Sequence, residues 1–197
     1  SGSKSPQGQK QQKQKQKNSA GKDEGDYAKY ENHYGCEFAD IGLNLTDTMF
    51  GGEYFGKNKH DEDYADVISR MHSVGCKYGM VTGGSLSDSF VALVMCKRHD
   101  PDAQSLFATV GVHPTRCSEF VSAPKNHLVE LSNLIQSNLD RVVAVGEIGL
   151  DFNEERLKFC DEETQCEFFD AQLSLARAHK LPCFLHMREA AEKFCSI

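Results

Sequence analysis

No apolar run in this chain approaches the ~20 residues needed to span a membrane, and no apolar h-region of a secretory leader is present. A soluble intracellular protein, in cytoplasm or nucleus, is therefore expected, with no membrane partner. The eight cysteines include no C-x-x-C pair, and several stand among apolar residues. That argues against a disulfide framework or a disulfide-linked partner and for buried free thiols in a reducing compartment. Acidic residues are missing from the first 22 positions, which hold six of the chain's 22 Lys and Arg but none of its 29 Asp and Glu. The remainder, with 16 basic against 29 acidic side chains, carries a formal −13. So acidic a body excludes binding nucleic acid with its whole surface and leaves room for a local cationic groove.

Residues 1–33 form a Lys/Gln-rich tail whose stretch Gln7–Lys17 (QGQKQQKQKQK) has no aromatic residue. Such composition cannot bury enough apolar surface to offset ordering entropy, so a disordered, solvated tail is expected. A nuclear-targeting or polyanion-binding role is the weaker alternative, because the lysines alternate with glutamines and do not cluster. Ser1 stands where a start methionine would, so a fragment at that end is also expected.

From residue 34 to 197 the pattern is regular. Short β-branched and apolar runs begin near Phe38, Tyr78, Leu106, Val142 and Pro182, separated by segments of helical periodicity. Tyr64, Val67, Ile68, Met71 and Val74 form one stripe, closed by Gly75 in the position of a C′ glycine. Leu86, Phe90, Leu93 and Val94 form a second. Leu128, Leu131, Leu134, Ile135 and Leu139 form a third, and Cys166, Phe169, Leu173 and Ala176 a fourth. The fourth helix has an N-cap candidate in Asp161, with Glu162 and Glu163 in its first turn and Lys180 near its end. The strands LFATVGV, VVAV and CFL are continuously apolar, as strands covered on both faces are. Alternating strand and helix at this spacing predicts parallel βαβ units of an α/β fold. A doubly wound sheet and a barrel both satisfy that pattern.

Barrel enzymes carry their chemistry at the C-terminal ends of the strands. Here those ends read Asp40-Ile41-Gly42-Leu43-Asn44, Thr82-Gly83-Gly84, Gly111-Val112-His113-Pro114, Gly146-Glu147-Ile148-Gly149-Leu150-Asp151 and Leu185-His186-Met187-Arg188. A glutamate directly after VVAVG is costly unless a positive partner meets it. A divalent metal is one such partner, and an ion pair with Arg188 is the other. His186, following PCFL, presents an imidazole to the same mouth, as a metal ligand or as a satisfied core histidine.

The segments ADIGLNLTDTMFGGEYFGK, TGGSLSDS, FATVGVHPT, VVAVGEIGLDF and LPCFLHMREA resemble the TatD-related deoxyribonucleases, in order and at suitable spacing from about Glu37 to Phe194. The trio GVHP, GEIGLD and FLHMR is specific to that family. The resemblance implies a TIM-type (β/α) barrel of the metal-dependent hydrolase type that cleaves phosphodiesters in DNA, often from the 3′ end. It implies a divalent cofactor, Mg²⁺ foremost with Zn²⁺ or Mn²⁺ as alternatives. By the same carry-over Glu147 is a bridging metal ligand and His186 a ligand to one ion. Asp151 joins them as a catalytic residue and candidate general base, while His113 and Arg188 meet the substrate. Many members open with D-x-H-x-H, where this chain has Gly42 and Asn44 after Asp40. Asn44 is thus a candidate substrate-binding residue, as in a subgroup with asparagine there.

A full (β/α)₈ barrel takes about 250 residues. Five of eight units fit between Cys36 and Ile197, and the family's later H-C-F-x-G and E-T-D-x-P segments do not occur. The chain is therefore expected to be a barrel truncated after about five units, with two open edges and a weakened metal site. Two other readings stay open: a non-catalytic truncated isoform or fragment, and a metal-dependent hydrolase of a substrate other than nucleic acid. Nothing in the sequence calls for an oligomer.

Overall fold

The computed structural model describes residues 35–197, so the Lys/Gln-rich tail lies outside the described residues. Five strands form one parallel sheet in chain order: β1 (Phe38–Leu43), β2 (Cys76–Val81), β3 (Leu106–Val110), β4 (Val142–Asp151) and β5 (Cys183–Arg188). Between them run α1 (Tyr64–Ser73), α2 (Leu86–His99), α3 (Pro124–Gln136) and α4 (Glu162–His179), and α5 (Ala191–Ser196) follows β5. A two-residue hairpin, Glu53–Tyr54 with Lys57–Asn58, lies in the long β1–α1 connection. Sequential order, parallel pairing and helical crossovers give a curled half barrel, the expected architecture. No described helix is long and apolar enough to cross a membrane, and all eight cysteines are free thiols.

Burial follows strand position. The central β3 is nearly all buried and so is most of β4, whereas edge strand β1 is exposed along five of its six residues. Ile41 on that edge is 62% exposed. The core collects Leu106, Val110, Val142, Val145 and Leu150 from the sheet, with Leu131, Ile135, Phe120 and Phe168 from the helices and loops outside it. Phe120 and Phe168 stack with centroids 4.3 Å apart.

The helix ends behave as their residues dictate. Gly75 takes φ +92 just past α1, the left-handed position that disfavours any side chain. Asp161 accepts the Thr164 N–H at the start of α4. Two stripes, however, are rotated from expectation. On α2 the buried residues are Ser89, Ala92, Leu93, Met95 and Cys96, while Phe90 is 59% exposed and Val94 is also at the surface. On α4 the face toward the sheet holds Gln165 and Gln172, both fully buried, with Phe168, Phe169, Leu175 and Ala176. Cys166 and Leu173 are only half-buried. Apolar residues alone misplaced the α4 stripe because two amides there serve backbone groups, as described below.

A buried ionic clamp ties the N-terminal ends of β3 and β4 to α2. Arg141, 1% exposed, donates to the carbonyls of Pro101 (2.8 Å) and Leu106 (3.2 Å) and lies 3.5 Å from the Asp100 carboxylate. That carboxylate accepts the backbone N–H groups of Gln104 (3.1 Å), Ser105 and Leu106 (2.8 Å each). Burial by itself would raise the Asp100 pKa, but the N–H donors of Leu106, Ser105 and Gln104, helped by Arg141, outweigh it and hold the group below its usual value. Asp100→Asn is expected to cost about 1.5–3 kcal/mol at pH 7, the worth of hydrogen bonds to a charged acceptor. A depressed carboxylate stabilises the fold above its unfolded-state pKa of about 4 and loses that contribution as pH falls through the folded-state value. Urea midpoints should therefore drop more steeply below about pH 4 in the wild type than in Asp100→Asn. Equal slopes would contradict the clamp.

Candidate functional site

A cavity of about 600 Å³ opens at the C-terminal ends of the strands. All six expected site residues line it: Asn44 after β1, His113 after β3, Glu147 and Asp151 on β4, His186 and Arg188 on β5. The placement differs in one respect from the sequence reading. β4 runs on through Asp151, so Glu147 sits within a strand, as does His186 in β5, and neither lies beyond a strand end. An irregularity in β4–β5 pairing between Val145 and Ile148 lets the strand continue there, and the Glu147 N–H is donated to the Gly83 carbonyl at 2.8 Å.

Close backbone approach brings these strands together. A methyl on Gly146 would lie 2.6 Å from the Phe184 carbonyl, and one on Gly111 would lie 2.8 Å from the Gly146 backbone. Gly149 has φ +147 and its added methyl would meet the His186 carbonyl at 1.9 Å. Side chains at these positions would force β3, β4 and β5 apart.

At the cavity floor His186 lies between two carboxylates. Its Nδ1 is 2.9 Å from Glu147 Oε1 and its Nε2 is 3.1 Å from Asp151 Oδ2. Asp151, 1% exposed, also accepts the Asn153 N–H at 3.3 Å and lies 3.8 Å from Arg188 Nη1. The alternative partner for Glu147 is thereby corrected: Arg188 reaches Asp151, and Glu147 meets His186. Donating to the Glu147 carboxylate raises the His186 pKa, with Asp151 adding to it, and accepting that bond lowers the pKa of Glu147. Burial, reinforced by the His186 charge, pushes His113 down to about 4, so His113 is neutral at pH 7.

His113 caps the short 3₁₀ segment Pro114–Phe120, its Nδ1 standing 3.2 Å from the Thr115 nitrogen and 2.8 Å from Thr115 Oγ1. Its Nε2 lies 3.3 Å from His186 Nδ1. With the His113 proton on Nδ1, given to the Thr115 hydroxyl, Nε2 is a lone pair turned toward Glu147 and His186. Donor atoms of His113, Glu147 and His186 lie within 4.8 Å of one another. One carboxylate and two imidazoles at that spacing are a donor set that fits a divalent metal ion.

Sequence reasoning missed the two residues that hold these loops in place. Gln172 Oε1 accepts the Val112 N–H (2.7 Å) and its Nε2 donates to the Val112 carbonyl (3.1 Å), one residue before His113. Gln165 does the same for Asp151, accepting its N–H (2.8 Å) and donating to its carbonyl (3.0 Å) and to that of Cys160 (2.9 Å). Their spacing of seven, one face of a helix, was the available signal. Also unflagged were Thr115, Arg116 and Arg156 on the cavity wall. The buried Thr82 Oγ1 has no partner among the described residues.

Residues 39–197 match the family model described as TatD related DNase. The chain is 37% identical over 165 residues to "Deoxyribonuclease Tat-D" of Schizosaccharomyces pombe, covering 81% of this chain and 51% of that protein. It is 39% identical over 158 residues to the "3′-5′ ssDNA/RNA exonuclease TatD" of Erwinia tasmaniensis, covering 80% and 53%. The crystal structure of a TatD family hydrolase from Entamoeba histolytica superposes with TM-score 0.75 at 38% identity, over 81% of this chain and 52% of that one. The chain thus spans about half the length of the curated relatives it matches.

Gln172→Ala leaves a buried N–H and C=O at Val112 without partners, at about 1–3 kcal/mol for each stranded group. We expect a urea-unfolding loss of at least about 2 kcal/mol, with Gln172→Glu intermediate because it keeps an acceptor for the N–H. A loss under about 0.5 kcal/mol would mean that Val112 finds other partners.

Proposed function

Because the chain belongs to the TatD-related DNase family, we propose that its cavity hydrolyses phosphodiesters in DNA with the help of a divalent metal ion, in the manner of a 3′-exonuclease. The observation that carries the reading is the convergence of donor atoms of His113, Glu147 and His186 within 4.8 Å of one another on the cavity floor.

Glu147 and His186 would hold the ion, with His113 close enough to join them. When bound, it supplies positive charge for the phosphoryl oxygens and lowers the pKa of water. Asp151 holds the His186 Nε2 proton and so keeps Nδ1 free, the role an outer carboxylate plays behind a ligating histidine. With its oxygens engaged by His186, Arg188 and the Asn153 N–H, Asp151 is a positioning residue more than a general base. His113, neutral at pH 7, meets a phosphate oxygen at the same mouth. Arg188 meets the same phosphate, and Asn44 binds substrate across the cavity. One carboxylate and one imidazole suit Mn²⁺ or Zn²⁺ better than Mg²⁺, which prefers oxygen ligands.

The test combines binding with turnover. Calorimetric titration with Mn²⁺ should show a site that Glu147→Gln weakens at least about tenfold. Hydrolysis of bis(p-nitrophenyl) phosphate in Mn²⁺ should vanish in Glu147→Gln and in EDTA. Turnover that survives Glu147→Gln would sink the reading.

A further inference from the structure

The proposed chemistry uses one of the three guanidinium groups on the cavity wall. Arg188 arrives on β5. Arg116 arrives from the segment after β3, and Arg156 from the single helical turn Glu154–Leu157 after β4. Two cations remain beside a site that needs one, in a body whose formal charge apart from the first 22 residues is −13.

Their surroundings differ in a way that bears on use. Arg116 pairs through Nη1 with Asp88, in the first turn of α2, and lies 3.4 Å from Ser85 Oγ. That pairing occupies one edge of the fork, and the side chain is 52% exposed, so other N–H donors stay open to the cavity. The pair has a structural use as well, tying the 3₁₀ segment to α2. Arg156 has no such use. It is exposed, and its guanidinium has no carboxylate or carbonyl partner among the described residues. Its own neighbour Glu155 pairs with Lys158 instead. The backbone beneath it is fixed: Asn153 Oδ1 accepts the Glu155 N–H, the Asn153 carbonyl accepts the Arg156 N–H, and Asn153 Nδ2 donates to Glu189. A long cationic side chain on an anchored turn, unpaired and lining a cavity, is placed for an anion from outside.

We propose that Arg116 and Arg156 form a subsite for a phosphate other than the one hydrolysed. The ligand is then a strand with at least two phosphates, and neither a phosphomonoester nor an isolated diester fills the cavity. This rests on the phosphodiesterase reading for the position of the hydrolysed phosphate. The chemistry is that of a planar fork against phosphate oxygens, and it is blind to base identity.

The test reads binding without turnover. Anisotropy of a fluorescein-labelled octathymidylate is followed in EDTA from 25 to 200 mM NaCl. The wild-type chain should bind with an affinity that falls with salt. Arg116→Ala and Arg156→Ala should each reduce the log–log salt slope by about 0.7, the value for one neutralised phosphate on a single strand. Affinity at 50 mM salt should fall about 3–10-fold for each, since removing a cation that meets a phosphate weakens binding without regard to sequence. Arg156→Lys should keep the slope. Thermal midpoints identify a fold defect in Arg116→Ala, in which case Arg156→Ala alone carries the result. Unchanged slopes in both alanine variants, or no wild-type binding at 25 mM salt, would overturn the subsite. A chain that hydrolyses bis(p-nitrophenyl) phosphate but shows unchanged slopes keeps the phosphodiesterase and loses the subsite. One that shows the expected slopes without turnover does the reverse.

Discussion

Everything at the cavity depends on how closely three backbones approach. Parallel strands ordinarily sit at a separation that accommodates a side chain on every residue. Here Gly111 faces the Gly146 backbone, Gly146 faces Phe184 and Gly149 faces His186, each at a distance that excludes a methyl group. That proximity sets a carboxylate on β4 2.9 Å from an imidazole on β5, with a second imidazole from beyond β3 at 3.3 Å. Small residues act here as spacers of minimal thickness. The polar groups they bring together are crowded enough that one positive charge must be shared among them.

The cost of that crowding is met by hydrogen bonds arranged in layers behind the floor. His186 leans on Asp151, and Asp151 leans on the Asn153 N–H and, through its own backbone, on Gln165. His113 leans on Thr115, and the residue before it on Gln172. A buried polar group is tolerable only when its partners are also satisfied. At the opposite end of the sheet Arg141 and Asp100 perform the analogous task for the loops that start β3 and β4. The sheet is thus pinned at both ends by polar interactions, with apolar packing between them.

Much of this was legible in the residues. The strands announce themselves as apolar runs because both faces are covered, and β3, β4 and β5 begin within a residue of where those runs begin. GVHP, GEIGLD and FLHMR mark polar groups interrupting such runs, and the five residues singled out there line one cavity with Asn44 from the end of β1. What escaped was whatever depends on a partner far away in sequence. The buried faces of α2 and α4 were read from apolar residues alone. Phe90 and Val94 therefore counted as core although they face outward, and Gln165 and Gln172 were passed over although they are fully enclosed. Their spacing of seven marks a shared helix face, but it does not say that each amide will be matched by a backbone it meets 14 or 60 residues away. Arg156 escaped for a related reason, since an arginine after two glutamates looks like an ordinary solvated helix turn.

The two glutamines also set a measure. They are seven residues apart on one helix, so at about 1.5 Å per residue their anchor points stand roughly 10 Å apart along the α4 axis. Each holds a peptide group adjoining or belonging to a cavity residue, one beyond β3 and the other at the end of β4. A helix is far stiffer than a loop. The separation of His113 from Asp151 is therefore gauged by a rigid rod on the outside of the sheet, and α4 can tilt or slide only by carrying both walls of the cavity with it.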